Sequence, residues 1–363
     1  MLLDLSAAFD TVDPDILSVQ LQKCRIMSYL SDRTQSININ GVLSSAKSIT
    51  CGVPQGSVLG PLLFSIYLIG IAEVIASFDI NYILYADDLQ LYVACKVSDL
   101  PITISRLQNC LAAVRTWLTN RLLLLNDSKT EMMVLGTKSN LKHCQNIQVA
   151  VGGHLLNPKE CIRDLGVWLD PCLSFEQHVR KICARAYGQL RLVNRIKRSL
   201  PQHLYSTVVQ SLVMSHINYC VSLLHGVSEK VIHKLQVVSN SALRSIMGLK
   251  KMDRVSDLAK SKGWLNIRQL IMHRYASLIH TVIQCKKPAY LHRLLHINHH
   301  SRSMRSNEQL LLSHKRVKSA IGSRAFSCYG PQLRNQIPLE LRMLPKKSSF
   351  VNRMKSHLLT LDD

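Results

Sequence analysis

No CxxC pair occurs among the eleven cysteines, and none has a histidine at zinc-site spacing. Zinc ribbons and fingers are thereby excluded, because their ligands come in such pairs. Cys161, Cys172 and Cys183 recur at a spacing of 11 residues, which fits no metal motif either. A disulfide framework is not indicated and no signal-peptide pattern precedes the cysteines. The expected compartment is therefore reducing: intracellular, in the nucleus or cytoplasm, and not secreted. Long apolar runs are also missing. Ser48–Ala72 carries no charge, yet Pro54, Gln55, Gly56, Ser57, Gly60 and Pro61 interrupt it. The remainder, Val58–Ala72, falls short of the ~20 residues of a membrane span, so a buried helix is expected and no membrane partner. Internal repeats and low-complexity tracts are absent.

Acidic residues are scarce in one half only. Residues 175–363 hold 8 Asp and Glu against 32 Lys and Arg, whereas residues 1–174 hold 15 against 13. The net charge of +22 thus resides entirely in the second half, with 13 of the 15 histidines. Such a balance favours a polyanion, nucleic acid ahead of an acidic membrane surface. A solvated basic surface without a partner is the plain alternative, which charge alone does not exclude. The chain's 363 residues, 47% of them hydrophobic, suffice for two or three packed units.

The periodicity changes character along the chain. Leu2–Leu5 is an apolar run broken by Asp4, Ser36–Val42 alternates as a strand does, and Gly52–Gly60 reads as a loop entering a helix. Ile80–Val93 reads as two strands with Ala86-Asp87-Asp88 at the turn. Ile104, Leu107, Leu111, Val114 and Leu118 recur at helical spacing, and Glu131–Leu135 predicts a further strand. Ile147–Val151, the turn Gly152-Gly153 and Leu165–Leu169 suggest a small hairpin unit. After Pro171 the pattern turns helical, with Ser174-x-x-Gln177 as a capping box and Phe175, Val179, Ile182, Ala186, Leu190, Val193 and Ile196 on one face. Helices are expected to about Leu294, and polar, loop-like stretches around His299–Ser306 and Pro345–Ser349.

A carboxylate inside an apolar strand is costly unless a cation compensates it. Asp4 is one such residue, and Asp87-Asp88 stands at a strand–turn–strand tip. Two such segments on one sheet would gather carboxylates suited to Mg²⁺, which takes one or two of them and completes its shell with water and phosphate. Taken alone, Asp87-Asp88 reads equally well as an ordinary hairpin turn.

The constellation decides between these. Leu3-Asp4-Leu5-Ser6-Ala7-Ala8-Phe9-Asp10 resembles motif A of reverse transcriptases, Gly52-Val53-Pro54-Gln55-Gly56-Ser57 motif B, and Tyr85-Ala86-Asp87-Asp88 motif C. Leu125-Asn126-Asp127-Ser128-Lys129-Thr130-Glu131 resembles motif D, and Leu165-Gly166-Val167-Trp168-Leu169-Asp170 the LINE form of motif E. Five motifs in the right order make the chain resemble the reverse transcriptase of non-LTR (LINE-type) retrotransposons, nearest the CR1/L2/jockey-like branch. Tyr29–Gln35, His216–Cys220, Arg324–Ser327 and Pro338–Arg342 extend the likeness over nearly the whole length.

This resemblance implies an RNA-directed DNA polymerase acting on an RNA template, a DNA primer and dNTP with two Mg²⁺ ions, for which Mn²⁺ can substitute. It implies that Asp4 and Asp87 hold the metals with Asp88 assisting, and that Phe9 screens out ribonucleotides. Pro54, Gln55, Gly56 and Ser57 would meet the dNTP and template. Lys129 would protonate pyrophosphate, a solvated turn lysine being the other reading. Leu165 and Gly166 would form the primer grip, where primer contact and tight turn packing both ask for Gly. Asp10 is a structural motif residue. Arg180, Arg185, Arg191 and Lys197 would offer phosphate contacts, each adding salt-sensitive affinity.

The fold expected is α+β: a palm of antiparallel sheet on helices (1–146), a primer-grip hairpin unit (147–173), a helical thumb (174–250) and a basic, mostly helical C-terminal region (251–363). Two departures from the pattern stand out. Motif A begins at Leu2, whereas the family's fingers and endonuclease regions come before it, so a copy lacking them is the expectation and whether such regions lie upstream stays open. Leu21–Met27 also runs directly into Tyr29-Leu30, where a longer helical segment is usual. A truncated copy with little activity of its own is the expectation, and a catalytically silent nucleic-acid-binding remnant is the alternative.

Overall fold

The computed structural model describes residues 1–6, 8–21, 29–54, 56–144, 146–298, 311–313 and 316–361. The chain divides into two compact units, Met1–Asp164 and Leu165–Asp363. Gln55, most of the segment Leu21–Met27 and the stretch His299–Ser306 lie outside the described residues.

The first unit opens with β1 (Leu2–Ser6) and α1 (Pro14–Leu21), followed by the two-residue strands β2 (Thr34–Gln35), β3 (Asn38–Ile39), β4 (Val42–Leu43) and β5 (Lys47–Ser48). Helices α2 (Gly60–Tyr67) and α3 (Ile71–Ala76) lead to β6 (Asn81–Tyr85), β7 (Asp88–Tyr92), α4 (Leu100–Thr119) and β8 (Leu124–Glu131). The short α5 (Lys138–Lys142), β9 (Val149–Val151), β10 (His154–Leu156) and β11 (Ile162–Asp164) complete it. The main sheet is antiparallel in the order β6-β7-β1-β8.

Period-two alternation sorts its side chains. Leu3 and Leu5 of β1 and Leu89 and Leu91 of β7 are buried in one core with Leu63, Phe64 and Tyr67 of α2 and Leu111, Val114 and Leu118 of α4. Each such side chain contributes about 1.5–3 kcal/mol of burial. Asp4, Asp88 and Gln90 consequently project from the other face of the sheet.

Several elements depart from expectation. Ser36–Val42 is not one strand, because Asn40 (φ 51°) and Gly41 (φ 89°) form the tight turn of the β3–β4 hairpin. The run Val58–Ala72 is not one helix: Gly70 (φ 100°) separates α2 from α3, and Val58 is exposed. No helix among the described residues is long and apolar enough to cross a membrane. The strand expected at Glu131–Leu135 lies earlier, at Leu124–Glu131, because motif D itself pairs with β1.

The second unit contains β12 (Val167–Leu169), α6 (Glu176–Arg195), α7 (Gln202–Val209), a π turn (Gln210–Met214), α8 (Ser215–Asn218), α9 (Glu229–Met247) and α10 (Ser256–Ser261). It continues with α11 (Ile267–Cys285), α12 (Ala289–His292), α13 (Ala320–Ser323), α14 (Phe326–Gln336), α15 (Leu339–Arg342) and α16 (Lys347–Thr360). One core gathers α6, α7 and α9, and a second gathers α14 and α16. Helix α11 serves both, giving Ile267 and Ile271 to the first and Tyr275, Ile279 and Val282 to the second. No division therefore falls at residue 250.

The hairpin unit expected at 147–173 is itself divided. Val149 and Val151 pair with β10 and join the first unit's core, whereas Val167 joins the core of the second. The capping box at Ser174 is not formed; the Asp170 carboxylate instead accepts the Ser174 and Phe175 N–H groups at 2.9 and 2.8 Å. Ile196 is exposed, off the buried face of α6. Ser348 and Ser349, expected in a loop, lie in the first turn of α16.

Candidate active site

Four carboxylates define the polar face of the sheet. The β1–β7 register pairs Leu2 with Gln90 and Leu3 with Leu89, which runs Asp4 toward Asp88. The β6–β7 hairpin closes with Tyr85 opposite Asp88, so Ala86, in the left-handed region at φ 52°, and Asp87 form its two-residue turn. Partial burial, and then the charges of Asp87, Asp4 and Asp164, raise the Asp88 carboxyl above its ordinary range. Asp164, the last residue of β11, accepts a hydrogen bond from Gln90 Nε2 at 2.5 Å. Burial raises its carboxyl too, with the Gln90 bond opposing. Asp164 was not singled out from the sequence; its only local signal is an acid ending the strand Ile162–Asp164, just before motif E.

Lys129 reaches the same place by an irregularity. Along β8, Leu2 pairs with Glu131 but Asp4 with Asn126, so the motif D strand bulges between these points. Asn126 holds the bulge: its Oδ1 accepts from Ser128 Oγ (2.7 Å) and Lys129 N (3.3 Å), and its carbonyl from Thr130 Oγ1 (2.9 Å). Lys129 Nζ then stands 3.4 Å from Asp4 Oδ2. This contact is an ion pair without hydrogen-bond geometry, so the buried Asp4 Oδ2 has no hydrogen-bond donor directed at it. Asp127, two residues earlier, pairs with Arg115 instead.

The donor set fits Mg²⁺. It consists of carboxylate oxygens, one of them buried and without a hydrogen bond, in a cluster whose mutual repulsion a cation would relieve. Among the described residues no three or more His, Cys, Asp and Glu close into a cage.

The motif A and B loops are clamped together. Gly52 N donates to Val12 O at 2.7 Å and Val53 N to Phe9 O at 2.8 Å. Gly52 has φ 80°, and a Cβ there would stand 2.8 Å from Asp10 O, so only glycine allows this approach. Phe9 is half-buried, its ring 4.7 Å from that of Phe64. Pro54 and Gly56 are exposed. Ser57 Oγ accepts the Gly60 N–H at 3.0 Å, which fastens the loop to the start of α2 while leaving its own proton to donate.

In the second unit Leu165 (φ 42°) and Gly166 (φ 86°) form a left-handed turn. Arg180, Arg185 and Arg191 project from α6 as exposed groups, and Arg185, Arg191, Arg195 and His216 line an open groove. Lys197 does not join them. Its ammonium donates to Ser245 O at 2.5 Å and lies 5.3 Å from the centre of the Tyr205 ring, so it ties helices together instead of facing a phosphate.

Comparison with known proteins follows this geometry. Residues 1–169 match the family model for reverse transcriptase (RNA-dependent DNA polymerase). The chain is 26% identical over 249 residues to the RNA-directed DNA polymerase from mobile element jockey of Drosophila melanogaster, covering 65% of this chain and 26% of that protein. It is 27% identical over 275 residues to the corresponding protein of Drosophila funebris, covering 70% and 29%. The chain thus spans between a quarter and a third of the length of these curated relatives.

Proposed function

We propose that this chain, whose residues 1–169 match the family model for reverse transcriptase, carries the polymerase centre of an RNA-directed DNA polymerase from a non-LTR retrotransposon. It would act within the cell on an RNA template, a DNA primer and dNTP. The observation that carries the reading is the shared sheet face of Asp4 and Asp88, with Asp87 at its turn and Lys129 Nζ 3.4 Å from Asp4 Oδ2.

Asp4 and Asp87, with Asp88, would hold two Mg²⁺ ions, whose chemistry is to activate the primer 3′-hydroxyl and stabilise the leaving pyrophosphate oxygen. Lys129 is the only described cation paired with Asp4, placed to give a proton to departing pyrophosphate. Phe9, braced by Phe64, screens the sugar 2′ position. The loop Pro54–Ser57, fastened at Gly52 and Ser57, lines the nucleotide's path. Leu165 and Gly166 support the primer end, and the exposed arginines of α6 neutralise phosphates.

Primer extension on an RNA template tests this, using the chain joined to the coding region upstream of it. Asp4→Ala or Asp87→Ala is expected to abolish Mg²⁺-dependent synthesis and leave RNA affinity intact. Lys129→Ala should slow it by about 10²–10⁴-fold, the usual reach of general-acid help. Phe9→Ala should mainly admit ribonucleotides. Synthesis that survives loss of Asp4 or Asp87 would sink the assignment. RNA binding without any synthesis would favour the second reading, a silent binding remnant, whose support is the excess of 32 basic over 8 acidic residues in 175–363.

A further inference from the structure

The turn Leu165-Gly166 is held by a residue far along the chain. Tyr219 Oη donates to Leu165 O at 2.5 Å, and the ring lies across Gly166, where a Cβ would stand 3.3 Å from Tyr219 Cε1. Both turn residues have positive φ, 42° for Leu165 and 86° for Gly166. A leucine adopts that conformation only when its surroundings impose it.

The approach of Tyr219 is itself constructed. A π turn at Gln210–Met214 precedes α8, and each residue so inserted rotates the following face by about 100°. The helix then stops at Asn218, Tyr219 is extended (φ −65°, ψ 120°), and Cys220 turns left-handed at φ 52°. The strand following the grip turn is fixed as well. Trp168 N donates to His178 Nδ1 at 3.3 Å, and the Lys181 ammonium sits 3.0 Å from the centre of the Trp168 ring. Helix α6 therefore anchors the strand, while Tyr219 alone among these residues grips the turn.

From this we infer that Tyr219 is a positioning residue for the primer 3′ end, acting through the Leu165 carbonyl and the Gly166 backbone. The inference rests on the polymerase reading above. Tyr219 fixes one conformation of the grip turn, so losing its hydroxyl lets that turn relax and the primer terminus lose its register. Half-exposed, at 51%, its ring stays at the surface beside the turn instead of serving the core.

The test is binding by the full chain, measured with a DNA primer recessed on an RNA template and with a blunt duplex of the same length. Wild type should prefer the recessed end. Tyr219→Phe should lower that preference at least tenfold while blunt-duplex affinity and the thermal midpoint stay unchanged, and Gly166→Ala should act in the same direction. A merely structural role for Tyr219 would weaken both substrates alike, so equal loss overturns the proposal, as does an unchanged preference in Tyr219→Phe. If the wild-type chain itself shows no preference for the recessed end, the polymerase reading beneath the proposal fails with it.

Discussion

At the scale of single residues, the polar face of the sheet and the interior of the helical unit illustrate opposite uses of charge. Asp4, Asp87, Asp88 and Asp164 crowd together, and partial burial followed by the charges of the other three raises the Asp88 carboxyl. Arg334 has no such purpose in view. It is 4% exposed, its Nε meets no hydrogen-bond partner, and burial followed by the neighbouring Arg342 charge pulls its guanidinium down to about 10. Nearby His280 is buried against Phe350, and burial followed by Arg334 pulls it down to about 4. Burying a guanidinium beside another cation destabilises. Arg334→Leu is therefore expected to raise unfolding stability by about 1–3 kcal/mol, read as a higher urea midpoint. A lowered midpoint would mean that the guanidinium is satisfied after all. The sequence announced Asp4 and Asp87-Asp88 because an acid in an apolar strand is conspicuous. It announced neither Asp164 nor Tyr219, whose roles depend on partners 74 and 54 residues away.

At the scale of elements, tight approaches do the positioning. Gly52→Ala should loosen the clamp between the motif A and B loops, since φ 80° and a Cβ at 2.8 Å from Asp10 O are both unfavourable. A loss of about 1–3 kcal/mol is expected, seen as a lower thermal midpoint and faster amide exchange at Gly52 and Val53. An unchanged midpoint would show that the loop yields freely. Local patterning made α4, α6 and the β6–β7 hairpin readable, since each carries its period within its own residues. It misplaced the motif D strand because Leu124–Glu131 has no alternation; its pairing with β1 and the bulge held by Asn126 are set by the sheet. The Asn40-Gly41 turn is legible by its type, but the alternation around it points to a single strand. Leu165–Leu169 looked continuous with Ile147–Val151, yet the two join different cores, which no local pattern records.

At the scale of the whole molecule, the basic excess lies wholly in residues 175–363. Replacing Arg180, Arg185 and Arg191 together by Glu should weaken RNA and DNA binding alike and flatten the salt dependence, because backbone neutralisation releases counterions. Lys197→Ala should leave the salt slope unchanged and lower stability instead, since its ammonium is bound to Ser245 O. Equal slopes for the triple variant and wild type would remove α6 from the interface. The sheet order carries a further consequence, for the time before the fold exists. Strand β1 leaves the ribosome before its partners, so Leu2 waits for Gln90 and Asp4 for Asn126. At about 5–20 residues per second the wait for β7 is roughly 4–18 s, during which an apolar strand stands unpaired. Asp4 is the only charged side chain within it. A single charge in such a run opposes the joining of strands from neighbouring chains, so Asp4→Leu is expected to raise aggregation of newly made chains, read as a smaller soluble fraction on expression.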